Sequence, residues 1–365
     1  MCADPPPETF QDDERRCDRL RGVRTLTRRE LNRALLARQL LLERSDLPLP
    51  RALEQVAGIQ AQYAPSMYIG LWSRLAGFER QALTDALVAR TVAQATLMRM
   101  TIHLVSREDF WPFALAVRET RRAAWLRTRP EPISARSIAA SARKVARELS
   151  GGGEIRRADL DALVGKDRSL GAGLWVDLVR APPSGTWERR RADLFALAED
   201  WIGPPWVNAR TAADLLVMRY LRGFGPASRK DVASFTGIAL TPLARILGRL
   251  ELRRFASEDG EELLDVPDGP LPDPDVPAPP RFLGTWDATL LTHARRTGVL
   301  PEEHRPKIFH VKAPHSFPTF LVDGAVAGTW RYEDGSIALS PFAPLAAGDE
   351  AALRDEAARL AAYHG

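Results

Sequence analysis

The sequence predicts a mainly α-helical chain with small β wings, an α+β fold, and three observations carry that expectation. Apolar residues recur at i, i+3, i+4 and i+7 in several stretches, the spacing of one buried helical face. A capping box, Thr27-Arg-Arg-Glu30, opens the first of these stretches. Groups of helices are followed by short β-branched or turn-bounded runs, and this order recurs along the chain.

Residues 1–24, rich in Pro and Asp, read as a disordered tail. The first unit, 25–130, opens with a helix carrying Leu31, Ala34, Leu35, Leu41 and Leu42, which Pro48 and Pro50 stop. A second helix from Pro50 places Leu53, Val56 and Ala57 on one face, and a third covers Glu79 to Arg90. Ala95 to Val105 then reads as a strand, so the order is helix, helix, helix, strand: that of a winged helix.

The pattern repeats in 131–207, with helices near Ser134 to Leu149, Arg156 to Val164 and Leu170 to Val179, a Gly151-Gly-Gly turn, and a wing strand at Gly185 to Arg189. The third copy, 208–266, is the clearest. Ala213, Leu216, Val217 and Tyr220 follow the helical rule, as do Leu243, Ile246, Leu247 and Leu250. Between them Pro226 starts a short helix that Gly237 closes. Leu252 to Phe255 and Leu263 to Val266, joined through Asp259-Gly260, form a hairpin wing. Residues 267–280 read as a stiff acidic, Pro-rich linker, and 281–365 as a C-terminal β-rich unit with a terminal helix from Gly348 to Tyr363.

Composition bounds the function. With 365 residues, 45% apolar and 27% charged, the chain is globular, which excludes collagen-like and wholly disordered classes. Apolar runs are short, Phe113 to Val117 being typical, so no bilayer span and no membrane partner are expected. Cys2 and Cys17 leave no cysteine for a disulfide framework or Cys-based zinc site in the body of the chain. The N-terminus lacks the apolar stretch of a secretory signal, and a cytoplasmic location is expected. Net charge is only +4, but its distribution is uneven. Arg118 to Arg157 holds 11 basic residues against 4 acidic, whereas Ser257 to Pro280 holds 8 acidic and no basic ones. The body is therefore more basic than the total, a weak pointer to nucleic acid.

Familiar catalytic patterns are missing. No phosphate-binding Gly-rich loop follows a strand, and no Gly-x-Ser-x-Gly elbow occurs. The histidines do not follow a zinc pattern, and neither metal nor cofactor is expected. Two segments resist a purely structural account. In Ile59-Gln60-Ala61-Gln62, a continued helix puts Gln60 on the buried stripe and Gln62 opposite, so both amides address one site only if the helix loosens between them. Pro65 encourages that by disfavouring helical geometry at Ala64. A buried Gln60 must find partners, at a cost of about 1–3 kcal/mol otherwise. In the second segment, an alternating strand places Arg99, Thr101 and His103 on one face: an ordinary exposed face, or one that looks into a nucleic-acid groove. Arg245 and Arg249 lie opposite the apolar stripe of the third copy's last helix, as solvated charges or phosphate contacts.

Three winged helices, Gln60-Ala-Gln62 and Met98-Arg99-x-Thr101-Ile102-His103 together resemble the AlkZ-like winged-helix DNA glycosylases. So do Phe224-Gly-Pro-Ala-Ser-Arg-Lys-Asp231, Trp286-Asp-Ala-Thr-Leu-Leu-Thr-His293 and Phe320-Leu-Val-Asp-Gly-Ala-Val-Ala-Gly-Thr-Trp-Arg331. The resemblance implies bacterial DNA-repair enzymes that cut the N-glycosidic bond of alkylated purines. One branch carries Gln-hydrophobic-Gln and protects producers of DNA-alkylating antibiotics, including crosslinkers. The YcaQ-like branch has Asp at the second Gln. Gln62 stands there in this chain, as in the AlkZ branch. The resemblance implies Gln60 and Gln62 as catalytic residues and double-stranded DNA carrying alkylated purines as partner; Arg99, His103, Arg245, Arg249, His293, Arg295 and Arg296 are the candidate DNA contacts. A base crosslinked to both strands cannot swing fully out of the duplex, so an open, basic face is expected. No long heptad seam is visible, and a monomer is expected. The competing reading is a winged-helix transcription regulator without catalysis, in which the glutamines are structural or read adenine edges. A metal-dependent nuclease using the C-terminal histidines is the third reading.

Overall fold

Thr27 accepts a hydrogen bond from the Glu30 amide, and Glu30 accepts one from the Thr27 amide, so the capping box does open the first helix. The geometry comes from a computed structural model that describes residues 22–129, 133–291, 297–310 and 315–365. Strand β1 is Thr25–Leu26, helix α1 Arg28–Arg38, and α2 Leu49–Gln55. The first helix ends before Leu41 because Leu40 turns to φ +56°, yet Leu41 is still buried. Next come β2 (Ile59–Gln60), α3 (Ala64–Trp72), α4 (Arg80–Val88), β3 (Val92–Thr96) and β4 (Ile102–Ser106). Two helices, α5 (Arg107–Ala116) and α6 (Arg118–Arg127), complete the first unit.

Two expectations for this unit fail. The single strand over Ala95 to Val105 is a hairpin, because Arg99 and Met100 adopt φ +52° and +60° and the chain reverses between β3 and β4. Arg99 therefore sits in the turn and shares no strand face with Thr101 and His103. The helix from Pro50 does not reach Gln60 either. It stops at Gln55, Ala57 and Gly58 take φ +60° and +79°, and the chain leaves in extended form.

In the second unit Ser134 caps α7 (Ala135–Leu149), followed by β5 (Glu154–Arg156), α8 (Arg157–Val164) and α9 (Lys166–Trp175). Strands β6 (Leu178–Arg180) and β7 (Leu194–Leu197) precede a short α10 (Ala198–Ile202). The wing strand expected at Gly185 to Arg189 is instead a turn, in which the Gly185 and Thr186 amides donate to the Arg189 carbonyl. The third unit has α11 (Ala209–Phe224), α12 (Arg229–Thr236), α13 (Leu240–Leu247), and a hairpin of β8 (Arg253–Ser257) and β9 (Glu262–Asp265). Ser228, not Pro226, starts α12 through a capping box with Asp231, and Gly237 closes it in the left-handed region. Leu216, Val217 and Tyr220, like Leu243, Ile246 and Leu247, are buried as their spacing predicts.

The C-terminal unit contains β10 (Arg281–Leu283), α14 (Arg305–Ile308), β11 (Phe309–His310), β12 (His315–Ser316), β13 (Thr319–Val322), β14 (Ala325–Glu333), β15 (Ser336–Pro341) and α15 (Ala347–His364). β10, β13, β14 and β15 form an antiparallel sheet, against which α15 buries Leu353 and Leu360.

The wings are not separate. β2, β4, β3, β6, β7 and β5 form one six-stranded sheet, joined where Gln94 and Ala95 pair with Arg180 and Val179. β1 adds in parallel to β8, tying the chain's start to the third wing. The 267–280 segment is bound to α1 as a strap: Arg29, Arg33 and Arg38 donate to the carbonyls of Pro274, Val276 and Pro270. Among the described residues no helix is long and apolar enough to cross a membrane.

Candidate functional site

The site begins with the turn that ends α2. Gly58 reaches φ +79°, and a Cβ there would lie 3.0 Å from Val105 Cγ1 and 3.1 Å from the Leu104 carbonyl. Only glycine lets the chain press this closely against β4. Ile59 and Gln60 then pair with Leu104 and His103, and the Ala61 amide donates to the Ile102 carbonyl at 2.7 Å. Gln60 ends β2 and Gln62 follows in a bend, and both side chains turn to the β3–β4 hairpin. Helix α3 starts at Ala64 with Pro65 in its first turn, so the proline serves as a helix opener.

Gln60 is buried and Gln62 exposed. Gln60 Oε1 accepts from Arg99 Nη2 at 3.0 Å, and Gln62 Oε1 accepts from the Ile102 amide at 3.2 Å. Arg99 lies in the β3–β4 turn and Ile102 opens β4, so one hairpin braces both glutamines. Arg99 also donates to the Phe235 carbonyl at 3.3 Å, with its guanidinium 5.1 Å from the Phe235 ring. The first unit's turn is thereby held by α12 of the third. Burial lowers the Arg99 pKa to about 10, which leaves it charged at neutral pH.

His103, paired with Gln60 across the strands, is buried, and its Nδ1 lies 3.1 Å from the Thr101 carbonyl. Burial first, and the Arg99 charge second, push its pKa down to about 3, so the imidazole is neutral. With Nδ1–H donating to the carbonyl, Nε2 is a bare acceptor without a hydrogen-bond partner among the described residues. The polar groups around the two glutamines are thus a guanidinium, a backbone amide and a neutral imidazole.

Other expected contact residues are dispersed. Arg245 is exposed on α13. Arg249 lies beyond the end of α13, and its guanidinium forks onto Asp214 of α11, with Nε 3.0 Å from Oδ2. His293, Arg295 and Arg296 lie outside the described residues. Among the described residues no group of three or more His, Cys, Asp or Glu side chains is placed to hold a metal.

A cavity of about 540 Å³ opens one residue beyond Gln62. Tyr63 and Ile69 line one side, Trp187 and Arg190 another, and Trp286, Trp330, Tyr332 and His364 the C-terminal side. Its lining comes from six segments far apart in the chain, so no local pattern outlines it. The adjacent run Arg189-Arg190-Arg191 was its one visible signal.

Helical units with hairpin wings, and a small polar cluster braced between the first and third of them, are the features to set beside known proteins. The structure is similar to that of Streptomyces sahachiroi DNA glycosylase AlkZ, with a TM-score of 0.77 at 21% identity over 93% of this chain and 97% of that one. No curated protein matches the chain. A family model described as "DNA glycosylase AlkZ-like" matches residues 53–363, and the chain belongs to the AlkZ-like DNA glycosylase family. Its class of reaction is hydrolytic base removal, and its partner is DNA.

Proposed function

We propose that the protein is a monofunctional, cofactor-free glycosylase that hydrolyses the N-glycosidic bond of N7-alkylated purines in duplex DNA. The substrates are bulky antibiotic adducts or interstrand crosslinks, and the role is base-excision repair that confers self-resistance on a bacterium exposed to such compounds. The protein acts as a monomer in the cytoplasm. The observation that carries this reading is the neutral pair Gln60 and Gln62, each held by the β3–β4 hairpin. Alkylation at N7 makes the base cationic, so its departure neutralises charge and needs no strong general acid. What remains is to hold a water at C1′ and to stabilise an oxocarbenium-like sugar.

Gln62 does the first. One lone pair of its Oε1 is held by the Ile102 amide, and the other accepts from the water. Gln60 is the positioning residue: by holding Arg99 it fixes the turn that presents the Ile102 amide. Backbone contacts supply most of the affinity, so binding is salt-sensitive with little sequence preference. The test is single-turnover excision from an N7-methylguanine duplex. Gln62→Ala is expected to lose about 100-fold or more with duplex binding retained, by analogy with removing one aligned polar group. Unchanged excision by Gln62→Ala sinks the residue's role, and failure of the wild type to release the base sinks the substrate.

A further inference from the structure

The 540 Å³ cavity beside Gln62 is not needed for the water-positioning chemistry, and its lining has a definite character. Tyr332 stacks on His364 with centroids 4.4 Å apart and planes 16° apart, and Trp187 and Trp330 meet the same imidazole edge-on. Burial, with Arg80 and Arg190 nearby, lowers the His364 pKa to about 4, so this platform is an uncharged π surface at neutral pH. Tyr63 and Tyr332 remain 45% and 40% exposed at its mouth, which keeps aromatic faces open to a ligand. Trp286 is held at φ +61°, a costly backbone state for a bulky residue, where it lines the wall.

The charge beside these rings is positive. Arg190 lines the cavity and donates to the Tyr63 hydroxyl at 3.1 Å. It also lines a second cavity of about 230 Å³ with Arg156, Arg189 and Arg191, where the one carboxylate, Asp193, pairs with Arg191 at 3.2 Å and leaves the lining net positive. An aromatic slot continuous with an arginine cleft is the arrangement that takes a base by its face and the backbone by its phosphates. The larger volume lies within the ordinary range of small-molecule pockets, about 300–1,000 Å³.

We propose that this cavity is a nucleotide pocket: it receives one unstacked base of a DNA strand on the Tyr332–His364 platform, with the flanking phosphates on the Arg189–Arg191 loop. The pocket rests on the reading of this chain as acting on DNA and supplies something the glutamines do not. It grips a nucleotide that loses its stacking partner when the duplex opens at the lesion.

The test uses the full chain and a ten-residue oligothymidylate, followed through the protein's own tryptophan fluorescence. Saturable quenching is expected, since three tryptophans line the cavity. Tyr332→Ala, at an exposed ring, is expected to weaken binding about tenfold, by the usual contribution of one base–aromatic stack. Arg190→Ala is expected to weaken binding and reduce its salt slope by about one. Thermal melting of both variants monitors folding. Absence of quenching in the wild type, or wild-type affinity in a folded Tyr332→Ala or Arg190→Ala protein, overturns the pocket. Excision from the N7-methylguanine duplex is measured in parallel. Oligothymidylate binding without excision leaves the pocket standing and removes the substrate reading; excision without oligothymidylate binding does the reverse.

Discussion

Gln60 and Gln62 differ in what surrounds them, and their substitutions should differ accordingly. Gln62 is exposed and presents a carbonyl with a free lone pair, so on the proposed mechanism its loss should act on the chemical step. Gln60 is buried and holds Arg99, so Gln60→Ala should lower excision and also loosen the turn. Its signature is a lower melting temperature together with the slower rate, whereas Gln62→Ala should melt like the wild type. His103 is the third residue of the cluster. Its folded pKa of about 3 lies below the ordinary 6.5, so the unfolded chain takes up a proton from pH 6.5 downward while the folded chain resists until about 3. The stability tied to the neutral imidazole is complete above pH 6.5 and lost as pH falls toward 3. His364 acts in the same direction. The urea midpoint should therefore fall between pH 7 and pH 4, and His103→Gln should fall less steeply over the same interval.

At the scale of elements, local chemistry was legible wherever it is written in adjacent residues. Thr27 with Glu30 opens α1, Ser134 bounds α7 and Gly237 closes α12, each within one helical turn, whereas the end of α1 and the start of α12 fall a few residues from where the spacing places them. Helix α3 was not legible. All nine of its residues are buried, so it has no polar face from which a helical period can be read. The strand proposed at Gly185 to Arg189 failed because a turn rich in polar residues leaves the hairpin edge to Leu194–Leu197. The α2–β2 turn governs the site. Gly58→Ala forces a Cβ against Val105 and the Leu104 carbonyl in a left-handed backbone. It should destabilise the protein by about 1–3 kcal/mol in urea unfolding, the usual cost of overpacking, and slow excision by displacing Gln60.

At the scale of the molecule, buried ion pairs join units that the sequence presents as separate. Arg38 of α1 meets Asp265 of β9 at 2.6 Å with both side chains fully buried, and Arg38 also donates to the Leu221 and Pro270 carbonyls. Removing one partner leaves an uncompensated buried charge. Asp265→Ala should cost about 3–5 kcal/mol in equilibrium unfolding, more than exposed pairs such as Arg354–Glu350. Arg74 and Asp287 make the corresponding link to the C-terminal unit. Burial would raise the Asp287 carboxyl, but Arg74 and Thr289 outweigh it and hold its pKa below the ordinary value. The segment read as a linker is likewise a strap, because three arginines of α1 take its carbonyls.

By itself the sequence determined most of the helices, the Thr27–Glu30 cap, the uneven charge and the two glutamines as candidates, structural or functional, since each depends on neighbours within a few positions. Only the tertiary structure decided that two wings merge into one sheet, that one hairpin braces both glutamines, and that aromatic residues from distant segments enclose a cavity. Strand pairing and cavity walls join residues tens to hundreds of positions apart, and no local spacing encodes which partner closes the loop. The turn at Ala57-Gly58 joins the two levels: a left-handed backbone that the sequence permits, and that contact with β4 requires.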